Sequence, residues 1–230
     1  MQLNKKSKIF IAGHNGMVGS SVLRHFKKKG YKKLFFKNRK SLNLIDQKKT
    51  LFYLKKIKPD FVIIAAARVG GIFANSDQKG KFIYENIMIQ TNLIHSSLLA
   101  GVKKLIFLGS SCIYPKYAKQ PIKEDYLMTG KLEETNEPYA IAKLAGYKMC
   151  EAYNKQYKTN YICLMPTNLY GPNDNYNLNT SHFFPAIIVK AHTALKRKTK
   201  VIKIWGDGSP KRELMYVDDL ADACEFFLKK

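Results

Sequence analysis

The chain of 230 residues is short of acidic side chains and has no long apolar run. Only 17 aspartates and glutamates stand against 40 lysines and arginines, which gives a formal net charge of +23 at pH 7. No apolar stretch reaches the ~18 residues that cross a bilayer. The basic start, residues 1–8, lacks the long apolar segment and the cleavage site of a signal peptide. We therefore expect a cytoplasmic protein with no membrane partner.

Cysteine is also scarce. The four cysteines form no C-x-x-C pair and have no metal-ligand spacing; they are Cys112, Cys150, Cys163 and Cys224. Reduced thiols in the cytoplasm are the simplest interpretation. The sequence therefore predicts neither a disulfide framework nor a metal site.

The positive charge is carried mostly by lysines spread over the whole chain, and arginine is rare. Proteins that read nucleic acids tend to cluster arginine and to interleave aromatic side chains on one face. We therefore expect no nucleic-acid partner, and a general attraction for anionic small molecules such as nucleotides. An RNA-binding protein is the rival class, which tight binding to an RNA pool at ~0.2 M salt would reveal.

A glycine-rich turn near the start of the chain follows a strand and precedes a helix. The apolar run Lys8–Ala12 leads into Gly13-His14-Asn15-Gly16-Met17-Val18-Gly19, and apolar side chains then recur at helical spacing over residues 20–29. In this order the glycines permit a close approach of a pyrophosphate, and the helix N-terminus offers free N–H groups to the phosphates. The pattern predicts a dinucleotide-binding loop, with a plain turn as the alternative.

The residues after the second predicted strand (Leu34–Phe36) are cationic. A site for NAD commonly has an acidic residue here to hold the ribose 2′-hydroxyl, whereas this chain has Lys37-Asn38-Arg39-Lys40. Cations suit a 2′-phosphate, so the pattern favours NADP; a solvated charge run is the alternative. Asp46 precedes a helix predicted over residues 47–58, and it either caps that helix, lies near the adenine, or does both.

Apolar runs of strand length alternate with longer segments of helical periodicity. Further strands are predicted at 61–67, 104–109 and 161–165, with helices at 82–100 and 138–158. This alternation predicts an α/β fold, a Rossmann-type doubly wound parallel sheet. We expect residues 1–166 to form an NADP-binding Rossmann domain and residues 167–230 a smaller substrate-binding region.

After Pro166 the sequence becomes more polar and loop-like. We predict a loop over 167–172, a helix over 182–196 and a strand over 201–205. A further strand and a helix over 217–228 follow. Whether that last helix returns to the Rossmann domain is open on the sequence alone.

Tyr139 and Lys143 lie four residues apart in the helix that follows Pro138, so they share one face. An ammonium near a phenol favours the phenolate, so we expect Lys143 to lower the pKa of Tyr139 and make it a usable proton donor. An ordinary surface pair is the alternative. The cofactor loop, and the polar turn Ser110-Ser111-Cys112 at the end of the fourth strand, favour catalysis.

Taken together, the glycine loop, Gly109–Pro115 and the Tyr139/Lys143 pair resemble the extended short-chain dehydrogenase/reductase family. Within it, the chain is similar to the nucleotide-sugar epimerase–reductases that form GDP-L-fucose, and Ala65–Ile72 and Met165–Pro172 also match. The resemblance implies NADP(H) as cofactor and GDP-4-keto-6-deoxy-D-mannose as substrate, epimerised at C3 and C5 and then reduced at C4. It also implies a homodimer formed through the helices at 82–100 and 138–158.

The resemblance implies a role for each matching position. Ser110 would hydrogen-bond the C4 carbonyl oxygen, Tyr139 would donate a proton to it, and Lys143 would hold the nicotinamide ribose. Cys112 and His182 would be the acid–base pair of epimerisation. The other positions implied in cofactor binding are Gly13, Asn15, Gly16, Met17, Val18, Gly19, Arg39 (at the 2′-phosphate), Asp46, Ala66, Pro166, Asn168 and Leu169, together with Lys143 and His182. Those implied in substrate binding are Ser111, Lys190, Trp205 and Arg212.

The chain departs from the family pattern in three places. Asn15 stands where an arginine is expected, which bears on NADP selectivity. Lys190 replaces another arginine, and lysine binds phosphate as a point charge rather than through a planar fork. Family members continue for several tens of residues beyond Lys230, so we expect an incomplete substrate region, and the activity of this chain is open.

Two rival functions remain. Another nucleotide-sugar epimerase/reductase or a dehydratase would share the fold, but dehydratases have Asp-Glu where this chain has Ser111-Cys112. The rival from another class is a non-catalytic NADP-binding protein. The intact Ser110, Tyr139 and Lys143 argue against it, and the expected incompleteness argues for it.

Overall fold

A computed structural model of the chain describes residues 2–204 and 206–230. Its centre is a sheet of five parallel strands, β1 (Lys8–Ala12), β2 (Lys33–Phe35), β3 (Phe61–Ile64), β4 (Lys104–Leu108) and β5 (Asn160–Leu164). Their order in the sheet is β2-β1-β3-β4-β5. The predicted doubly wound parallel sheet is therefore confirmed. β3 and β4 are buried along their whole length because helices cover both faces, as their continuous apolar runs predict.

Side chains alternate between the two faces of the sheet, and each face has its own core. The helices are α1 (Met17–Lys28), α2 (Gln47–Ile57), α3 (Ile72–Asp77), α4 (Lys79–Leu99), α5 (Glu137–Tyr157), α6 (Phe183–Lys196) and α7 (Val217–Lys229). Ile9 and Ile11 face one core, which α1 and α7 complete. Phe10 and Phe107 face the other, which α2, α4 and α5 complete. Within the described residues, no helix combines the length and the apolar character that a bilayer crossing requires.

Helix boundaries follow from local chemistry. Asp46 caps α2: its carboxylate accepts a hydrogen bond from the backbone N–H of Lys49 at 3.0 Å. This confirms the capping alternative for Asp46. Gly30 and Gly101 follow the ends of α1 and α4 with φ of +82° and +72°, a left-handed conformation that favours glycine.

The sequence interpretation was wrong at two places after Pro166. Residues 168–170, predicted as loop, form the short strand β6 (Asn168–Tyr170), which pairs in parallel with β7 (Leu214–Tyr216). Three residues are too few to show strand periodicity, so only the distant partner defines β6. Residues 201–204, predicted as strand, have no regular structure, and Val201 is exposed. Trp205 lies outside the described residues.

The last helix packs against α1 through a buried carboxylate. Glu225 on α7 accepts hydrogen bonds from Tyr31 Oη at 2.9 Å and Lys229 Nζ at 2.8 Å, and lies 2.7 Å from His25 Nε2. Burial disfavours the charge, but the bonds from Lys229, His25 and Tyr31 outweigh it and lower the pKa of Glu225 to about 2. Residues 217–229 therefore belong structurally to the Rossmann body.

This carboxylate should make folding stability dependent on pH. A depressed pKa in the folded state stabilises the fold above the ordinary pKa of 4.5, and the contribution is lost as the pH falls from 4.5 towards about 2. Glu225→Gln should therefore lower the free energy of unfolding by roughly 3 kcal/mol at neutral pH. The difference from wild type should shrink at pH 3, as measured by urea unfolding.

Asp222→Asn is the matched control, since Asp222 also approaches His25, at 3.9 Å, but is 68% exposed. It should change stability little, as exposed ion pairs do. A difference between wild type and Glu225→Gln that stays constant from pH 7 to pH 3 would contradict the linkage.

Candidate active site

The predicted functional segments meet at one edge of the sheet. β1 pairs with β3, and β3 with β4, all in parallel, so their carboxyl ends lie side by side. The loops that follow them are the glycine loop, residues 65–71 and residues 109–114. This edge is where open α/β sheets bind their ligands.

The glycine loop is packed closely against its neighbours. Gly13 has φ +89°, and a Cβ there would stand 2.6 Å from the backbone nitrogen of Ala66. A Cβ on Gly19 would overlap the carbonyl of Gly13. At Gly16, by contrast, a Cβ would meet only the Gly13 carbonyl oxygen, at 3.6 Å, and Gly16 itself is exposed.

The same loop presents the start of α1 to this open space. Gly16 is the N-cap residue, no side chain caps the helix, and its first turn has no acidic residue. The backbone N–H groups of Met17 and Val18 lie in that first turn. An exposed, uncapped helix start beside a glycine cradle fits a pyrophosphate.

Arg39, the residue predicted to bind a 2′-phosphate, follows β2 and forms an ion pair with Glu85 of α4. Arg39 Nη1 is 3.3 Å from Glu85 Oε2, and Arg68 Nη1 is 3.3 Å from the other oxygen, Oε1. Glu85 thus joins the adenosine end of the predicted cofactor site to the loop after β3. The Arg39 side chain is 65% exposed, so part of its guanidinium remains accessible to an anion.

Four of the predicted catalytic residues come together from two elements. Ser110 follows β4, and its Oγ accepts a hydrogen bond from Cys112 N at 3.4 Å at the start of a short 3₁₀ turn. Its hydroxyl also interacts with the phenol of Tyr139 and the thiol of Cys112. Tyr139 and Lys143 approach from the first turns of α5.

Lys143 is turned towards the sheet. Its Nζ donates to the carbonyl oxygen of Leu108 at 2.7 Å and lies 5.7 Å from the ring centroid of Tyr139. Burial lowers the pKa of Lys143 to about 8. The predicted lowering of the Tyr139 pKa was wrong: burial raises it first and the electrostatic interaction with Cys112 second, and the Ser110 hydrogen bond opposes them only in part.

The pKa shifts of both residues of the predicted epimerisation pair favour their neutral forms. Burial raises the pKa of the Cys112 thiol, although Ser110 and Lys143 oppose the rise. His182 is the N-cap residue of α6, and desolvation by the atoms around its ring lowers its pKa, against the effect of Asp174. A thiol that keeps its proton and an imidazole that lacks one can act as acid and base.

The remaining predicted residues lie in several different elements. Ala66 contacts the glycine loop, and Asn168 and Leu169 lie in β6 after Pro166. Lys190 Nζ donates to the carbonyl oxygen of Lys203 at 2.9 Å. The positions that are exposed are Asn15, Ser111 and Arg212.

Two polar side chains at this edge were missed by sequence reasoning. Glu85 joins two arginines, as described above. Asn75, 6% exposed, donates to the carbonyl oxygens of Gly70 and Gly71. Both lie in or next to helices and contact residues distant in sequence, so no local pattern marked them; the Gly70-Gly71 pair indicated only a loop.

Comparisons with known proteins place the chain among nucleotide-sugar enzymes. The sequence pattern of the NAD dependent epimerase/dehydratase family matches residues 9–230. Putative GDP-L-fucose synthase 2 of Arabidopsis thaliana is 51% identical over 226 residues, covering 98% of this chain and 69% of that protein. The GDP-L-fucose synthetase of Naegleria fowleri bound to NADP superposes with a TM-score of 0.89 at 30% identity, over 100% of this chain and 75% of the other. The GDP-mannoheptose C4 reductase of Campylobacter jejuni with NADP bound gives 0.90 at 40% identity, over 97% and 73%.

Proposed function

The chain belongs to the NAD dependent epimerase/dehydratase family, and on that basis we propose that it converts GDP-4-keto-6-deoxy-D-mannose to GDP-L-fucose. The reaction inverts C3 and C5 of the sugar and then reduces the C4 ketone. The observation that carries the proposal is the grouping of Ser110, Cys112 and Tyr139 at the edge of the sheet where the glycine loop also lies. GDP-L-fucose synthases about half identical to the chain support the substrate.

The cofactor is NADP(H). The cationic residues after β2 predict it, and two relatives were solved with NADP bound. The glycine loop and the start of α1 would hold the pyrophosphate, and Arg39 would bind the 2′-phosphate. The bound cofactor supplies the hydride that C4 receives. Lys143, which already bonds the Leu108 carbonyl, would hold the nicotinamide ribose.

The residues around C4 act on its oxygen. Ser110 and Tyr139 would donate hydrogen bonds to the ketone, and Tyr139 would deliver its proton as the oxygen becomes an alkoxide. Because the phenol of Tyr139 has a raised pKa, it is protonated at neutral pH and ready to donate. The charge of Lys143 would stabilise the phenolate that remains until solvent restores the proton.

Epimerisation would use the same polarised oxygen. A C4 ketone makes the C3 and C5 protons acidic because their removal gives an enolate, whose oxygen Ser110 and Tyr139 would stabilise. The neutral imidazole of His182 would take a proton from one face of the ring. The thiol of Cys112 would return one to the opposite face, and solvent would reset both groups.

The test is conversion of the named substrate. Purified protein, GDP-4-keto-6-deoxy-D-mannose and NADPH should yield GDP-L-fucose, identified by NMR, with one NADPH consumed for each sugar reduced. NADPH binding without any consumption would favour a non-catalytic NADP-binding protein.

A second candidate is reduction without epimerisation, favoured by the 40% identity to a C4 reductase of a GDP-heptose. The two functions differ at C3 and C5. In D₂O, an epimerase–reductase introduces deuterium at both carbons, whereas a reductase alone introduces none.

Cofactor choice gives a separate prediction. Arg39→Ala should weaken NADPH binding at least about tenfold and leave NADH binding nearly unchanged, because the lost guanidinium would bind the 2′-phosphate, which NADH lacks. Isothermal titration with each cofactor measures this. Arg197→Ala, an exposed arginine at the end of α6, is the control and should affect neither cofactor. Equal losses for NADPH and NADH in Arg39→Ala would contradict the assignment.

Assembly and location complete the proposal. We place the homodimer contact on α4 and α5, whose exposed apolar side chains include Tyr84, Leu99, Ile141 and Tyr157. We place the protein in the cytoplasm, where its four free cysteines would stay reduced. Residues 1–166 with α7 would hold the cofactor, and the rest of 167–230 the substrate.

A further inference from the structure

Asn75 holds a tight turn beside the active-site edge. It lies in α3, and its side-chain Nδ2 donates to the carbonyl oxygen of Gly70 at 2.7 Å and to that of Gly71 at 3.1 Å. Its own backbone N–H bonds the Gly71 carbonyl at 3.1 Å. Asn75 is only 6% exposed, so these hydrogen bonds form away from solvent, where the loss of a hydrogen bond is costly.

The Gly70–Gly71 turn also contacts a segment more than a hundred residues further along the chain. The backbone N–H of Gly71 donates to the carbonyl oxygen of Thr180 at 3.0 Å. The two backbones approach so closely that a Cβ on Gly71 would overlap the carbonyl oxygen of Ser181. Only glycine fits at position 71 in this arrangement.

The contacted residues, Thr180 and Ser181, directly precede His182, the residue proposed as the base of epimerisation. His182 is the N-cap residue of α6 and has no side-chain capping bond. Among the residues that the structure describes in α6, only Pro185 is buried. Pro185 and the contact of Phe184 with the Tyr170 ring hold the first turn of α6, whereas the backbone contact at Gly71 holds the residues immediately before His182.

We propose that Asn75 is a positioning residue for His182, acting through the Gly71–Thr180 backbone contact. The inference rests on the proposed function, since it assigns Asn75 to the epimerisation half of the reaction. Asn75 would fix the orientation of the Gly70–Gly71 carbonyls, and hence the direction in which the Gly71 N–H meets Thr180. Reduction at C4 depends on Ser110, Tyr139 and Lys143, which other elements hold, so it should be largely independent of Asn75.

The chain offers a matched control. Asn92 on α4 is also buried, and its Nδ2 also donates to two successive carbonyl oxygens, those of Leu44 and Ile45, each at 2.9 Å. It holds the loop between β2 and α2. Asn92→Ala and Asn75→Ala therefore remove the same bonds from similar surroundings and differ in which segment is released.

The experiment separates the two half-reactions. Epimerisation is followed as deuterium incorporation at C3 and C5 of GDP-4-keto-6-deoxy-D-mannose in D₂O, with saturating NADP⁺. Hydride transfer alone is followed in reverse, as a single turnover of GDP-L-fucose with NADP⁺, which requires no proton movement at C3 or C5. The variants are Asn75→Ala, Asn75→Asp, which keeps the shape but loses the donors, and Gly71→Ala. Thermal unfolding verifies that each variant is folded.

Asn75→Ala, Asn75→Asp and Gly71→Ala should each lower deuterium incorporation at least about tenfold, since displacements near 1 Å have effects of that size or larger. Hydride transfer should stay within about threefold of wild type. The double variant Asn75→Ala/Gly71→Ala should be no slower than the slower single variant, because both changes break one link. Asn92→Ala should incorporate deuterium at the wild-type rate.

Other results would overturn the inference. Equal deuterium incorporation in Asn75→Ala and Asn92→Ala would remove the link to His182, and parallel losses of exchange and hydride transfer would show a general structural effect. Absence of incorporation in the wild type, with hydride transfer intact, would instead overturn the proposed epimerisation and this inference with it.

Discussion

Replacing Tyr139 with phenylalanine should lower the rate of NADPH consumption roughly 10²–10⁴-fold, the usual effect of removing a general acid. The alkoxide that forms at C4 as the hydride arrives would then have only the Ser110 hydroxyl as donor. The ring itself is partly buried and packs near Lys143, so phenylalanine should keep the local structure. Stopped-flow absorbance of the reduced nicotinamide under saturating substrate measures the step.

Tyr147→Phe is the matched control for this change, since Tyr147 is a partly buried tyrosine two turns further along α5. It should react at close to the wild-type rate. Deuterium incorporation at C3 and C5 in Tyr139→Phe should fall less than NADPH consumption, because Ser110 still stabilises the enolate. An undiminished rate of NADPH consumption in Tyr139→Phe would remove Tyr139 from the mechanism.

Cys112→Ser should strongly slow inversion of the sugar while sparing hydride transfer. A hydroxyl has nearly the size of a thiol but is a far weaker acid, so return of a proton to the ring should slow by about 10²–10⁴-fold. Any sugar that is then reduced should keep its original configuration at C3 and C5. NMR of the product, together with deuterium incorporation, measures both outcomes.

The control for Cys112→Ser is Cys163→Ser on β5, another partly buried cysteine. It should give GDP-L-fucose at close to the normal rate. Hydride transfer between GDP-L-fucose and NADP⁺ should persist in Cys112→Ser and so separate it from Tyr139→Phe. Formation of GDP-L-fucose at an unchanged rate in Cys112→Ser would assign the proton return to another group.

Much of the Rossmann body could be predicted because its determinants are local. Phe61–Ile64 and Leu105–Leu108 form continuous apolar runs, which are typical of parallel strands covered on both sides. The glycine loop has its strand before it and its helix after it, so the position of a cofactor follows from a short stretch of sequence. Asp46 likewise caps the helix that begins at the next residue.

The features that could not be predicted depend on contacts between distant residues. β6 becomes a strand only through its pairing with Leu214–Tyr216. Asn75 matters because Gly71 meets Thr180, and Glu85 because two arginines from different loops converge on it. The direction of the Tyr139 pKa shift was also predicted wrongly. Helical spacing shows that a lysine is near, but it does not show that Lys143 bonds the Leu108 carbonyl or that burial is the largest cause of the shift.

The pairing of β6 with β7 has a consequence for how such enzymes diversify. Tyr170 stands opposite Tyr216 in the ladder, and their rings lie 5.4 Å apart, so the chain leaves the Rossmann body and re-enters it at the same point. Residues 171–213 therefore leave and return at two neighbouring strands, and they meet the main body again at Gly71–Thr180 and Ser20–Asn173. A recombinant in which this segment is exchanged should keep β6 and β7 in register, provided that residue 71 remains glycine.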